Sequence, residues 1–191
     1  MRGGSEVRAP LFFWKKSQME KIYDLFPDYA RDIKLNLQNV LKQTELTEQQ
    51  TWGTATACAI AARNTLLAEA VLAEAKDKLS PEAFNGAKTA AAIMGMNNIF
   101  YRFQHLSGHE KYGQIPARLR MQGIRSHGTD PVDFELWCLA VSAINGCGMC
   151  VQAHENVLKQ KGITEEQILA SVRIASVIHA AAVIFDNPFP T

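Results

Sequence analysis

Cys147 and Cys150 stand three residues apart, and His154 follows the second by four. Glu135 lies twelve residues before Cys147. Two thiols can cycle between dithiol and disulfide when one ionises, the other is within reach and the proton has somewhere to go. An imidazole can take that proton near neutral pH, and a carboxylate can orient the imidazole. On a helix turning about 100° per residue, Cys147, Cys150 and His154 fall within roughly 60° of one another. Cys150 and His154, at i and i+4, are close enough to interact directly. Cys147 and His154 are two turns apart, about 10 Å along the axis, and need an intermediary.

The bland readings are a chance Cys-x-x-Cys, a satisfied core or surface histidine and a solvated glutamate. Each holds for one residue alone and weakens when all four coincide. Zinc is the sharper rival, but a structural zinc site wants two ligand pairs. Cys58 and Cys138 are isolated in apolar helical stretches and read as core filler, and His105, His109, His127 and His179 supply no second pair. No metal is expected.

These residues need helices to hold them. Asn145-Gly146 breaks an apolar run, so one helix ends there and another starts near Cys147, running to about Lys161. Asp130-Pro131 opens the helix before, with Asp130 and Asp133 as capping residues. Further upstream, Leu25, Tyr29, Ile33 and Leu37 form a helical stripe interrupted by Pro27. Thr47 to Gln50 forms a capping box for a helix through about Arg63. Ala-rich sequence continues from Asn64 to Leu79. Ser80-Pro81 starts a helix to about Gln104, with Leu79 stapled to Phe84. Glycines and Pro116 make 105–129 a long connection with one turn of helix around Arg118–Gln122. Thr164 and Gln167 cap a last helix, to about Phe185. No stretch alternates as a strand.

The expectation is an all-α helical bundle with an internal three-helix duplication. The repeats span about 47–104 and 130–186. Trp52 and Trp137 correspond in them, as do Ala55 and Ala140. In that register Gln50, Ala62, Thr65 and Glu69 stand where Glu135, Cys147, Cys150 and His154 do. The scaffold is doubled and the chemistry is not. Residues 1–18 read as an N-terminal extension, expected to be mobile, before a single domain over 19–191.

The chain has 191 residues, 47% hydrophobic and 20% charged, with a formal net charge of +1. Nothing global favours nucleic acid or an anionic membrane. No apolar run reaches the ~18 residues of a membrane span, and the apolar stretch from Ala9 to Trp14 is short for a signal peptide. A cytoplasmic, reducing setting is expected, where Cys-x-x-Cys is redox-active or metal-binding rather than a staple.

Phe134-Glu135-Leu136-Trp137, followed by Ala143-Ile144-Asn145-Gly146-Cys147-x-x-Cys150-x-x-x-His154-Glu155, resembles the alkyl hydroperoxide reductase D family of the carboxymuconolactone decarboxylase superfamily. The resemblance extends to Pro27-Asp28-Tyr29-Ala30-x-Asp32-Ile33-Lys34-Leu35-Asn36-Leu37 and to Ala92-Ile93-Met94-Gly95-Met96-Asn97-Asn98. It implies an all-helical, internally duplicated fold that assembles as a homotrimer. It also implies reduction of alkyl hydroperoxides, or electron transfer from a dihydrolipoamide-bearing protein to a peroxiredoxin. No bound cofactor is implied, only an external dithiol reductant. By resemblance Cys150 attacks the peroxide, Cys147 resolves, and His154 with Glu135 forms the relay. One departure is Met149, where members of the family carry a histidine that joins the relay.

Two physical arguments oppose each other over the thiols. A helix N-terminus favours a thiolate at Cys147 by about 0.3–1 kcal/mol when exposed. An imidazolium beside Cys150 can lower a thiol pKa by several units, at about 1.36 kcal/mol each. The histidine wins, in agreement with the resemblance. The alternatives are a decarboxylase acting on a cyclic acid, which has no need of paired cysteines, and a thiol oxidant sensor, which would not turn over.

Overall fold

The computed structural model describes residues 16–187. They form nine α-helices and two 3-10 turns, and no strand occurs among them. The helices are α1 (Gln18–Asp24), α2 (Arg31–Val40), α3 (Glu48–Ala62), α4 (Thr65–Ala75), α5 (Pro81–Ser107), α6 (Lys111–Gln114), α7 (Pro131–Ile144), α8 (Gly148–Gln160) and α9 (Glu165–Asp186). The all-α expectation is met.

Local chemistry sets most of the helix starts. Thr47 with Gln50 and Thr164 with Gln167 form full capping boxes, and Ser80 caps α5 with Pro81 in its first turn. Asp130 caps α7 by accepting from the amides of Val132 and Asp133. Asp133, expected as a second cap, is instead buried and receives hydrogen bonds from Gln49 Nε2 and Gln50 Nε2 at 2.7 and 2.9 Å. It therefore ties the start of α7 to the start of α3.

At the centre α3 packs against α5, α7 and α9, while α7 packs against α5, α8 and α9. Every residue from Gln50 to Ala59 is buried, as in a helix surrounded on all sides. Trp137 is fully buried at the α3–α7 crossing. A Cβ on Gly53 would fall 2.2 Å from Trp137 Cε2, so this approach needs glycine on α3.

Several sequence expectations need correction. Leu25 and Tyr29 are 55% and 63% exposed, so the stripe through Leu37 is not one buried face. The helical phase is lost because α1 ends at Asp24 and Pro27 holds extended backbone before a 3-10 turn at Asp28–Ala30. In the long connection the helical turn lies at Lys111–Gln114, and a 3-10 turn at Gln122–Ile124 replaces the helix expected around Arg118–Gln122. Arg118 itself adopts a left-handed φ of 51°, which a helix cannot use.

Of the extension expected over 1–18, residues 1–15 lie outside the described residues. Ser17 and Gln18 belong to the fold, since Ser17 closes a capping box on α1 with Glu20. Among the described residues one helix, α9, with 22 residues and a most apolar window of mean hydropathy 2.0, is long and apolar enough to cross a membrane by length and composition, although Arg173 and His179 interrupt its apolar run. In this fold it packs against α2, α3 and α7.

Two further helix starts use a side chain three residues before the amide it caps. Asn64 caps α4 by accepting from Leu67 N, as Cys147 caps α8 by accepting from Cys150 N.

Candidate functional site

The site is built at the reversal from α7 to α8. Gly146, with a left-handed φ of 65°, stands just past the end of α7. The Gly146 amide donates to Ala143 O and the Cys147 amide to Ser142 O, the paired bonds of a Schellman motif. That motif fixes where Cys147 starts the next helix. Cys147 is the N-cap of α8, and its Sγ accepts from the Cys150 amide at 3.3 Å. Cys150 then lies in the first turn, joined to Cys147 by a disulfide with Cα atoms 5.3 Å apart.

The turn is held from the side by α5. Asn98 donates to Ser142 Oγ at 2.9 Å and accepts from Asn145 Nδ2 at 3.0 Å. Arg102 donates to the Asn145 carbonyl. The backbone that presents both cysteines is thus tied to a neighbouring helix, as a site needing repeated opening and closing of one bond requires.

His154 lies one turn beyond Cys150. Its Nδ1 is 2.6 Å from Glu135 Oε2, with both side chains mostly buried. A carboxylate accepts, so Nδ1 carries the ring proton in this pair. The pair joins α7 to α8. His154 Nε2 is 3.3 Å from Met94 Sδ of α5. In this disulfide form the second ring nitrogen, expected to serve the thiol, faces a thioether.

A cavity of about 240 Å³ opens onto these groups. Helix α8 contributes Met149, Cys150, Ala153 and His154 to its wall. Helix α5 contributes Met94, Asn97 and Tyr101, and the long connection contributes Met121 and Ile124. Cys150 faces the cavity and is 7% exposed, whereas Cys147 is fully buried and does not line it. Met149 is part of this apolar wall.

All four sequence candidates come together: Cys147, Cys150 and His154 on α8, and Glu135 across from them on α7. Cys58 and Cys138 lie elsewhere, as free thiols buried in the core. Burial pushes both thiols well above the ordinary range, with the Glu135 charge adding to the effect at Cys138. Spacing around the cysteines did not reach the α5 residues. Met94, Asn97, Asn98 and Tyr101 stand at i, i+3, i+4 and i+7, one helix face, and that periodicity was their signal. Met121 and Ile124 had none, because an irregular connection carries them.

Residues 110–186 match the Carboxymuconolactone decarboxylase family. Over most of its length the chain is also similar to proteins named alkyl hydroperoxide reductase AhpD. The one from Solibacter usitatus is 63% identical over 169 residues, 88% of this chain and 96% of the relative. Those from Koribacter versatilis and Acidobacterium capsulatum are 58% and 57% identical, covering 90% and 88% of this chain and 89% and 92% of their own lengths. The cysteine pair at the start of α8, the histidine one turn on and the chain-long identity agree, and the chain belongs to the AhpD family within the carboxymuconolactone decarboxylase group.

Proposed function

We propose that the protein is a dithiol-dependent alkyl hydroperoxide reductase. The observation that carries this reading is the Glu135–His154 pair one turn from Cys150, which faces an apolar cavity while Cys147 stays within disulfide reach. In the reduced protein the Cys150 thiol passes its proton to His154, and Glu135 stabilises the imidazolium. The thiolate attacks the terminal oxygen of the hydroperoxide. A sulfur–oxygen bond forms and the oxygen–oxygen bond breaks. Cys150 is oxidised to a sulfenic acid, and the leaving alkoxide takes the proton from His154 as it becomes the alcohol. Cys147 then displaces water from that sulfenic acid, giving the disulfide.

Cavity access supports Cys150 as the attacking thiol, because a peroxide in the cavity meets it and not Cys147. Met149 cannot move a proton, so the relay runs through His154 and Glu135 alone.

An external dithiol resets the site by thiol–disulfide exchange, in a reducing compartment such as the cytoplasm. A lipoyl group on a carrier protein fits this role, and a peroxiredoxin fits as onward electron acceptor. The working form is a homotrimer. Ile99, Phe103 and Leu106 form an exposed apolar stripe on α5, which association would cover.

The test is consumption of tert-butyl hydroperoxide by the pure protein with dihydrolipoamide, with and without a peroxiredoxin. Steady turnover is expected. A single stoichiometric oxidation without turnover would point to an oxidant sensor. No reaction with peroxide, together with decarboxylation of a cyclic acid, would sink the reading.

A further inference from the structure

The mechanism so far leaves one buried, unpartnered polar group of the cavity wall unused. Asn97 is 4% exposed, and its Oδ1 has no hydrogen-bond partner. The next residue, Asn98, is fully paired with Ser142 and Asn145. Leaving a buried amide oxygen unpaired costs about 1–3 kcal/mol, so it persists where something else uses it. Asn97 also lines the cavity onto which Cys150 and His154 open. The remaining wall is largely thioether and hydrocarbon, from Met94, Met121, Ile124 and Met149. A ligand entering this cavity therefore meets an apolar surface with an amide set into it.

We infer that Asn97 is the substrate-binding residue of the site, its side-chain amide holding the peroxide group of an organic hydroperoxide while the apolar wall takes the organic part. This rests on the peroxidase reading above. A hydroperoxide is the complementary ligand. Oδ1 is closed off in this disulfide form, so the amide turns about χ2 to bring it to the cavity, where the hydroperoxide O–H donates to it and the terminal oxygen is left to be attacked by Cys150. The bound proton stays on that oxygen and ends on the sulfenic acid. The proton for the alcohol still comes from His154, so Asn97 takes no proton and changes no charge. Its contribution is orientation, which a cavity lined by thioethers cannot supply alone.

The test uses Asn97→Leu, which keeps the γ-branched shape, and Asn97→Ala, which opens the cavity, each in a Cys147→Ser background that traps the sulfenic acid. Three quantities are read: the rate of Cys150 oxidation by tert-butyl hydroperoxide, the rate of Cys150 alkylation by iodoacetamide, and the thermal midpoint. Both variants should lose about tenfold in the peroxide rate, the worth of one hydrogen bond to substrate. Alkylation should be unchanged, because the thiolate is untouched. The midpoint of Asn97→Leu should hold or rise, since an unpaired buried amide is removed. An unchanged peroxide rate in either variant overturns the inference. An equal fall in peroxide and alkylation rates also overturns it, because Asn97 would then act on the thiol. If the Cys147→Ser parent itself fails to react with peroxide, the peroxidase reading falls, and this inference with it.

Discussion

Glu135 Oε2 lies 2.6 Å from His154 Nδ1, although the two residues stand 19 positions apart on different helices. This contact links the helix that ends at the active-site turn to the helix that begins there. It fixes the ring of His154, which shares a cavity wall with Cys150 one turn away. In the proposed relay, replacing Glu135 by Gln removes the charge that stabilises the imidazolium while keeping an acceptor for Nδ1–H. Peroxide turnover should fall roughly 10²-fold, as for other acid–base partners. Steady-state rates measured beside a helical circular dichroism spectrum check this. An unchanged rate in a folded variant would remove Glu135 from the relay.

The two thiols should separate cleanly. Cys150→Ser is expected to abolish the reaction with peroxide. Cys147→Ser should allow one attack and leave a sulfenic acid on Cys150, detected as a dimedone adduct by mass spectrometry. A label on Cys147 in the Cys150→Ser variant, and none on Cys150 in the other, would reverse the assignment.

The other two cysteines should remain silent. Burial holds Cys58 and Cys138 protonated, so iodoacetamide at neutral pH should label the reduced native protein at Cys150 first and leave both core thiols unmodified. The same burial has a pH consequence. Below the ordinary thiol range, folded and unfolded chains both carry the S–H form. As pH rises through that range the unfolded chain ionises and the folded one does not, so stability is lost towards alkaline pH. Urea midpoints of the wild type and a Cys58→Ala, Cys138→Ala double variant at pH 7 and pH 10 measure this. The alkaline loss should be smaller in the double variant, and equal losses would refute the linkage.

Gly53→Ala should destabilise the fold without touching the chemistry. The added methyl would sit 2.2 Å from the Trp137 ring, and neither α3 nor α7 can retreat without opening the core. Overpacking of this kind costs about 1–3 kcal/mol or more. Denaturant unfolding at 25 °C gives the value directly. A loss below about 0.5 kcal/mol would mean the crossing is looser than this geometry.

The sequence by itself determined the candidate site residues and most of the helix boundaries. Caps, prolines and glycines act within a few residues, so Thr47, Ser80, Asp130, Gly146 and Thr164 reveal their helix ends in one dimension. The Cys-x-x-Cys spacing and the histidine one turn beyond are local for the same reason. Tertiary structure alone decided what surrounds that local motif. It brought Glu135 to His154, set the Met94 thioether against the ring, buried Cys147 behind Cys150, and carried Met121 and Ile124 into the cavity on an irregular connection. It also moved Asp133 from a capping role to a tie between two helices. These outcomes depend on how α3, α5, α7 and α8 pack. Packing joins residues far apart in sequence, and no periodicity along the chain records the distance between them.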